Sequence, residues 1–461
     1  MSHPLGSTLE SAERPGYDRP ALRHAAGSRR RLAWDGIQDR SLAAVLLALT
    51  ALATFAASTA GAPTVVLVAL AASPILVVVG ARHALALLPA AIGVRALIDN
   101  SGQLATAGVA VAIIGLALLV IWRSASWLLV LFSFAGFLLI SAQYGAPRFG
   151  ALVTYGEALR LISVLAVVLI VMNVSGRYTA AQLARFMQLV GLIPAVVAIY
   201  QGATGTGTHI DGLGRAAGTL AQSNPAAALF ALCILASFAL LMDRAPGRAV
   251  NVGLFVVFLA ALGATGTISG FVSALVMVLV YLITLRHARI ERVLLVLLGV
   301  GLVTFLAATS SVGQSRLNQY IGAGANPLSK DNSLGWRLEA WAKVLDAWHQ
   351  HPIFGNGVGA TRAGVILVGN IPHNEYVRIL AENGVVGLAF VLIVATGFAI
   401  RMLRAVPTSP DFAPSLGLAV LAGTLVNAIA ANTFLYSTST YLTLFVLAGC
   451  WRVSRDGTAS P

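Results

Sequence analysis

Pro372-His373-Asn374-Glu375-Tyr376 stands immediately before a long apolar run. Imidazole is the side chain best suited to take a proton near neutral pH, so His373 is a candidate general base. A capping or hydrogen-bonded structural histidine is the plain alternative, and the residue by itself does not choose between them. Upstream, GWRLEAWAKVLDAWHQHP runs from Gly335 to Pro352. Arg337, Trp341, Val344 and Trp348 recur at +4, +3 and +4, the spacing of one helical face. Glu339, Lys343, Asp346 and Gln350 fall on the other side. Pro352 disfavours helix at His351, so the pattern predicts an amphipathic helix over 335–350. Two Trp on its apolar face suggest a helix lying along a membrane interface. Arg337 shares that face, where a guanidinium needs an anion or a carbonyl as partner. A second arginine of interest, Arg215, lies in the polar segment 203–223, just ahead of Asn224-Pro225. Asp211, four residues before it, either orients Arg215, binds substrate, or simply shapes a turn in a Gly-rich loop. Proton transfer and anion holding are thus the chemistry these residue types offer.

The elements that must position them are membrane spans. Residues of the AVILMFWYC set make up 58% of the chain and charged residues only 10%, whereas a soluble domain is about one quarter charged. A helix needs roughly 20 mainly apolar residues to cross the hydrocarbon core, and in lipid the backbone must satisfy itself, which selects helices. Apolar runs at 42–60, 63–81, 84–98, 104–122, 126–143, 151–174, 183–202, 224–242, 249–265, 267–285, 290–310, 385–403, 413–432 and 437–452 meet that need. The third is short and 249–265 joins 267–285 with almost no loop, so the count is about 12–14. The expected fold is an all-α integral membrane protein. It is a polytopic bundle with one large helical extracytoplasmic loop. Its parts are a disordered cytoplasmic tail (1–40), an N-terminal transmembrane bundle (41–310), the loop with its amphipathic helix (311–384) and C-terminal transmembrane helices (385–455).

The net charge of +13 reads mainly as topology. The tail carries Arg14, Arg19, Arg23, Arg29, Arg30, Arg31 and Arg40, and the short loops on its side of the membrane are nearly all basic. The opposite turns 61–62, 99–103 and 433–436 hold no Lys or Arg. The positive-inside rule then puts both termini in the cytoplasm. Arginines spread over many loops do not form the basic stripe that nucleic acid requires, so nucleic acid is not an expected partner. Cys233 and Cys450 both fall inside spans, which leaves no disulfide framework and no cysteine metal site. No apolar core with a cleavage site opens the chain. Glu157 and Arg160, at i,i+3 near a span start, are expected to pair; Arg95 has no obvious local partner. Gly355, Gly357 and Gly359 alternate as in a phosphate loop, but with no nucleotide fold around them they read as a turn.

Several of these segments, taken in order, are familiar. Gly335-Trp336-Arg337 with Trp341, His351-Pro352 with Gly355 and Gly357, His373-Asn374 with Tyr376, and Glu382-Asn383-Gly384 with Gly387 resemble the O-antigen ligase and O-antigen polymerase superfamily. Arg215-Ala216-Ala217-Gly218-Thr219 followed by Asn224-Pro225 looks like that superfamily's second signature. The resemblance implies a GT-C-like, inverting glycosyltransferase of the bacterial cytoplasmic membrane, acting in surface polysaccharide biosynthesis (lipopolysaccharide or exopolysaccharide). Its donor would be a polyprenyl-diphosphate-linked glycan, as in undecaprenyl diphosphate carriers. Its acceptor would be lipid A-core for a ligase or another lipid-linked repeat unit for a polymerase. His373 would deprotonate the acceptor hydroxyl, Arg215 and Arg337 would hold the diphosphate, and Asn374, Asp211 and Glu375 would bind sugar. Partners would include membrane lipids and a chain-length regulator or other polysaccharide assembly proteins. The family's Ser-Arg-Gly step has here only Thr267-Ile268-Ser269-Gly270, without arginine. The outer acids show no clustered ligand spacing, so no metal and no cofactor are expected. The alternatives are a transporter of an anion or of the lipid-linked glycan, and a catalytically inactive relative in an assembly complex.

Overall fold

The computed structural model describes residues 84, 86–99, 103–174, 178–210, 213–243, 245–285, 333–367, 371–409 and 411–457. The expected tail, the spans 42–60, 63–81 and 290–310, and Asp211 lie outside the described residues. Within them the chain is helical. The helices are α1 (Ala86–Leu97), α2 (Gln103–Ile121), α3 (Ala125–Phe149), α4 (Ala151–Asn173), α5 (Ala180–Thr204), α6 (Ser223–Met242), α7 (Arg248–Thr265), α8 (Ile268–Thr284), α9 (Ser333–His349), α10 (Glu375–Ala405), α11 (Ala413–Ala430) and α12 (Ser437–Gly457). A 3-10 turn, Thr433–Leu435, links the last two. Seven of them, α3 to α7, α10 and α11, are long and apolar enough to cross a membrane. The protein is an all-α polytopic membrane protein.

One small addition was not foreseen. Thr208–Ile210 (β1) and Leu213–Arg215 (β2) pair antiparallel, with Thr208 opposite Arg215. The sequence between them is Asp211-Gly212, a dipeptide that favours a two-residue hairpin loop.

The bundle is built around α6, of whose span 83% is buried, while α3, 17% buried, lies at its edge. Helix α6 is apolar all round, as a central helix must be. Lipid tails are as apolar as leucine, so helices here associate by close packing and by polar contacts. Gly270 on α8 shows the first: a Cβ there would meet the Ala227 Cβ at 2.6 Å. Gln188 shows the second, its amide donating to Ser237 at 2.9 Å and to Asn251 at 3.3 Å across α5, α6 and α7. Cys233 and Cys450 are free and buried.

One end of the bundle gathers the polar connections. Asp99 accepts from the Ala221 amide and the Thr438 hydroxyl, Thr219 donates to the Ala96 carbonyl, and Tyr436 meets Gln222. Arg95, for which the sequence offered no partner, pairs with Asp99 at 3.0 Å across one helical turn. The span boundary drawn at residue 98 had separated the two.

Candidate active site

His373 sits at this end and is held on three sides. Helix α9 packs Ala340 and Val344, flanked by Trp336 and Trp348, against Val377 and Ala381 of α10 and Leu367. The Trp341 indole donates to the Pro372 carbonyl at 2.6 Å. Trp336 meets the His373 ring edge-on, 5.8 Å between centroids. On the other side Asn374 caps α10, its side-chain oxygen accepting from the Val377 amide at 3.1 Å. The indoles of Trp341 and Trp348 donate to the protein's own carbonyls, the latter to Pro352 at 3.0 Å. His373 itself has φ 50, and among described residues it is the non-glycine with positive φ. A bulky residue in that region costs about 1–3 kcal/mol and persists only where its surroundings impose it.

The imidazole Nδ1 is buried with no hydrogen-bond partner among the described residues. Burial, then the charges of Arg337 and Arg215, hold the ring's pKa down at about 4. The charges of the two arginines singled out in the sequence are thus felt at the predicted base, although one comes from the β2 hairpin and the other from α9. Arg337 forms no ion pair among the described residues. Arg215 donates to the Thr265 carbonyl at 3.2 Å, the Thr267 hydroxyl at 2.7 Å and the Asn224 side-chain oxygen at 3.3 Å. It therefore grips the tight joint between α7 and α8 and the start of α6. Its neighbours are fixed as well. Gln201 accepts from the Ala217 and Gly218 amides and donates to the Gly218 carbonyl, and the Ala216 amide reaches the Ala264 carbonyl. Thr267, at the point where an arginine was missing from the expected motif, serves as a ligand for Arg215.

Beside the site lies a second charge cluster that the sequence reading largely missed. Glu157 on α4 pairs with Arg160, as expected, but also accepts from Arg362 at 2.9 Å and lies 3.5 Å from Arg378. Arg378, 2% exposed, reaches Glu375 at 2.9 Å through Nε and Glu382 at 2.6 Å through Nη1. Glu382 in turn accepts from the Thr361 hydroxyl at 2.5 Å, and Arg160 donates to the Phe434 carbonyl. Three glutamates and three arginines balance in charge. Glu375 at i−3 and Glu382 at i+4 from Arg378 were a readable helical signal; Glu157, 221 residues away, was not.

Residues 253–392 match the family model described as O-antigen ligase. This stretch of the chain is similar to the O-antigen ligase family. This supports the O-antigen ligase and polymerase superfamily read from the motifs, and it indicates a glycosyltransferase-like ligase or polymerase activity on lipid-linked glycans in polysaccharide biosynthesis. The chain matches no curated protein.

Within the matched stretch the glycine motifs are structural. Gly384, φ 65, breaks α10. The groups the break releases are taken up by the turn after α9. Asn356 and Gly357 amides donate to the Ala381 and Glu382 carbonyls, and Val385 and Val386 amides donate to the Pro352 and Ile353 carbonyls. A Cβ on Gly384 would lie 2.1 Å from the Ile353 oxygen, and one on Gly355 2.5 Å from the Glu382 carbonyl carbon. The Val358 amide is spent on Ser141 and that of Thr361 on Glu382. This run is a clasp, not a phosphate cradle, because its amides are already engaged. The clasp fixes the first limb of α10, and with it Asn374, Glu375 and the approach to His373.

Proposed function

We propose that this protein is an inverting glycosyltransferase that transfers a polyprenyl-diphosphate-linked glycan to an acceptor sugar hydroxyl. The acceptor is lipid A-core or another lipid-linked repeat unit, and the site faces the outer side of the cytoplasmic membrane. The observation that supports this is that the charges of Arg215 and Arg337 are felt at a buried, strained His373.

The acceptor oxygen attacks the anomeric carbon as the bond from that carbon to the diphosphate oxygen breaks. The acceptor proton passes to His373, and the diphosphate leaves with its negative charge held by two guanidiniums. Guanidiniums meet phosphate oxygens in bidentate fashion, and fixed cations in a dry site stabilise departing charge without reorganising. With its pKa near 4 the imidazole is neutral at pH 7 and ready to accept a proton. Burial, the larger cause of the lowering, remains when the donor binds, but a bound diphosphate offsets the share of the two cations, so the base strengthens in part when the donor arrives. Asp211 and Glu375 contribute acceptors for sugar hydroxyls, and Asn374, whose oxygen caps α10, contributes its amide. The arginines carry the charge work that a divalent metal does elsewhere.

The test is reconstitution of the purified protein with a polyprenyl-diphosphate-linked glycan. The expected result is release of lipid diphosphate with transferred or lengthened glycan, activity that survives EDTA, and loss of it in His373→Ala, Arg215→Ala and Arg337→Ala. Full activity in all three variants overturns the site. Product formed without lipid A-core identifies a polymerase, and solute movement across sealed vesicles with no product identifies a transporter.

A further inference from the structure

Asn427 near the end of α11, Asn432 in the link to α12 and Glu375 at the start of α10 are 2%, 1% and 1% exposed. Each keeps a buried polar atom without a hydrogen-bond partner: Asn427 Oδ1, Glu375 Oε2, and both Oδ1 and Nδ2 of Asn432. Buried polar groups are normally paired, and two of these three use only part of their side chains within the protein, while Asn432 uses neither atom. Arg378 takes only Oε1 of Glu375, and Asn427 spends only its amide, on Thr433 at 3.0 Å. The segments that carry them are drawn together. Tyr376 donates to the Leu425 carbonyl at 2.8 Å, which pins the start of α10 to the end of α11. Arg160 holds the Phe434 carbonyl from the side of the ion cluster. Tyr436 bonds Gln222 on its other side.

We propose that Asn427, Asn432 and Glu375 form a subsite for the hydroxyl groups of a neutral sugar ring. This deepens the glycosyltransferase reading and rests on it. Three acceptor atoms and one donor suit hydroxyls, which can both give and accept hydrogen bonds. They do not suit a phosphate, which brings acceptors only, and the one carboxylate among them is already balanced by Arg378. The diphosphate and its sugar are thus received by different surfaces: cations at Arg215 and Arg337, neutral amides and an acid at the α11–α12 link. The ring held there belongs either to the donor glycan or to the acceptor.

Two lipids separate these readings: sugar-free polyprenyl diphosphate and the same lipid carrying its glycan, each titrated against protein in nanodiscs, with acceptor KM measured in parallel. Sugar-free lipid should bind in wild type and in Asn432→Ala alike, and more weakly in Arg337→Ala. If it does not bind, or ignores Arg337→Ala, the underlying glycosyltransferase site fails and the subsite with it. Given that binding, the extra affinity conferred by the glycan should fall at least tenfold in Asn432→Ala and in Asn427→Leu when the ring is the donor's. When it is the acceptor's, the acceptor KM should rise at least tenfold while donor binding holds. Thermal stability is followed throughout. Unchanged glycan affinity and unchanged acceptor KM in both variants, whether or not melting shifts, would mean that the amides are structural only and would overturn the subsite.

Discussion

Two groups of charged side chains meet near the start of α10, one around Arg378 within the helix and one around His373 just before it, and they are built on opposite rules. Around Arg378 every cation meets a carboxylate: Glu157, Glu375 and Glu382 against Arg160, Arg362 and Arg378. Around His373 two guanidiniums bear on a histidine that is buried and whose Nδ1 is unpaired. The balanced cluster joins α4, the clasp after α9 and the first limb of α10, and its charges are met within the protein, with Oε2 of Glu375 left over. The charges of Arg215 and Arg337 disfavour a proton on the buried imidazole, and the same field would favour an arriving anion. On the proposed function, the first group mainly holds the fold and the second carries the proton and the diphosphate.

The division predicts opposite failures. His373→Ala should lower turnover by about a hundred- to ten-thousandfold, the usual weight of a general base, with little change in thermal stability. His373→Gly should be equally inactive yet more stable than the alanine variant, because glycine accepts φ 50 without strain. Equal stability of the two would remove the argument from backbone strain. Arg378→Met should do the reverse first. Removing one partner of a buried ion cluster costs about 3–5 kcal/mol, so melting in detergent should fall sharply, and activity only as a consequence. A full-activity, full-stability Arg378→Met would show that the cluster does not hold α10.

The acid limb of the pH–rate profile sharpens the same contrast. A lowered pKa means the imidazole is neutral above about 4. The donor-free enzyme should therefore keep its base through the range where an ordinary histidine, near 6.5, is already protonated. Folding follows the same sign. The unfolded chain binds the proton between about 6.5 and 4 and the folded one does not, so His373's contribution to stability is full above pH 6.5 and declines as pH falls toward 4. In Arg337→Gln one depressing charge is gone, and the titration of His373, followed by NMR of a labelled ring, should move upward toward the ordinary value. A titration that stays put would mean Arg337 does not reach the ring.

How much of this was legible follows from range. The membrane helices were visible because length and apolarity are local properties: α6, buried nearly all round, is the run 224–242 almost residue for residue. His373, Arg215 and Arg337 were visible by chemical type, since an arginine on a tryptophan-bearing face needs an explanation. The Arg95–Asp99 pair was local but was cut by a span boundary drawn one residue short. Of Glu157 only the local pair with Arg160 could be read, because its other partners Arg362 and Arg378 lie more than 200 residues away. Likewise Gly384 announces a break in α10, yet nothing in the sequence says that the Pro352–Gly357 turn will take up the freed backbone groups.

Trp341→Phe probes the join between the two groups at smaller scale. It removes one hydrogen bond, to the Pro372 carbonyl, worth about 1 kcal/mol in stability. Because that bond holds the residue before His373, activity should fall further than stability does, by about tenfold, as expected when a reacting group is displaced slightly. Equal small losses in both would make Trp341 a packing residue only.

The smallest effect belongs to the outer face of the same helix. Glu339 and Lys343 pair at 2.7 Å with side chains 42% and 58% exposed, and exposed pairs of this spacing contribute about 0.3–0.5 kcal/mol. Glu339→Gln with Lys343→Met should leave melting and turnover where they were. Helix α9 buries one face to hold His373 and turns the other outward, so its outward charges carry neither structure nor chemistry. A marked loss of activity at unchanged melting would instead show that this outer face meets the glycan, and it would move the boundary between the two groups outward from α10.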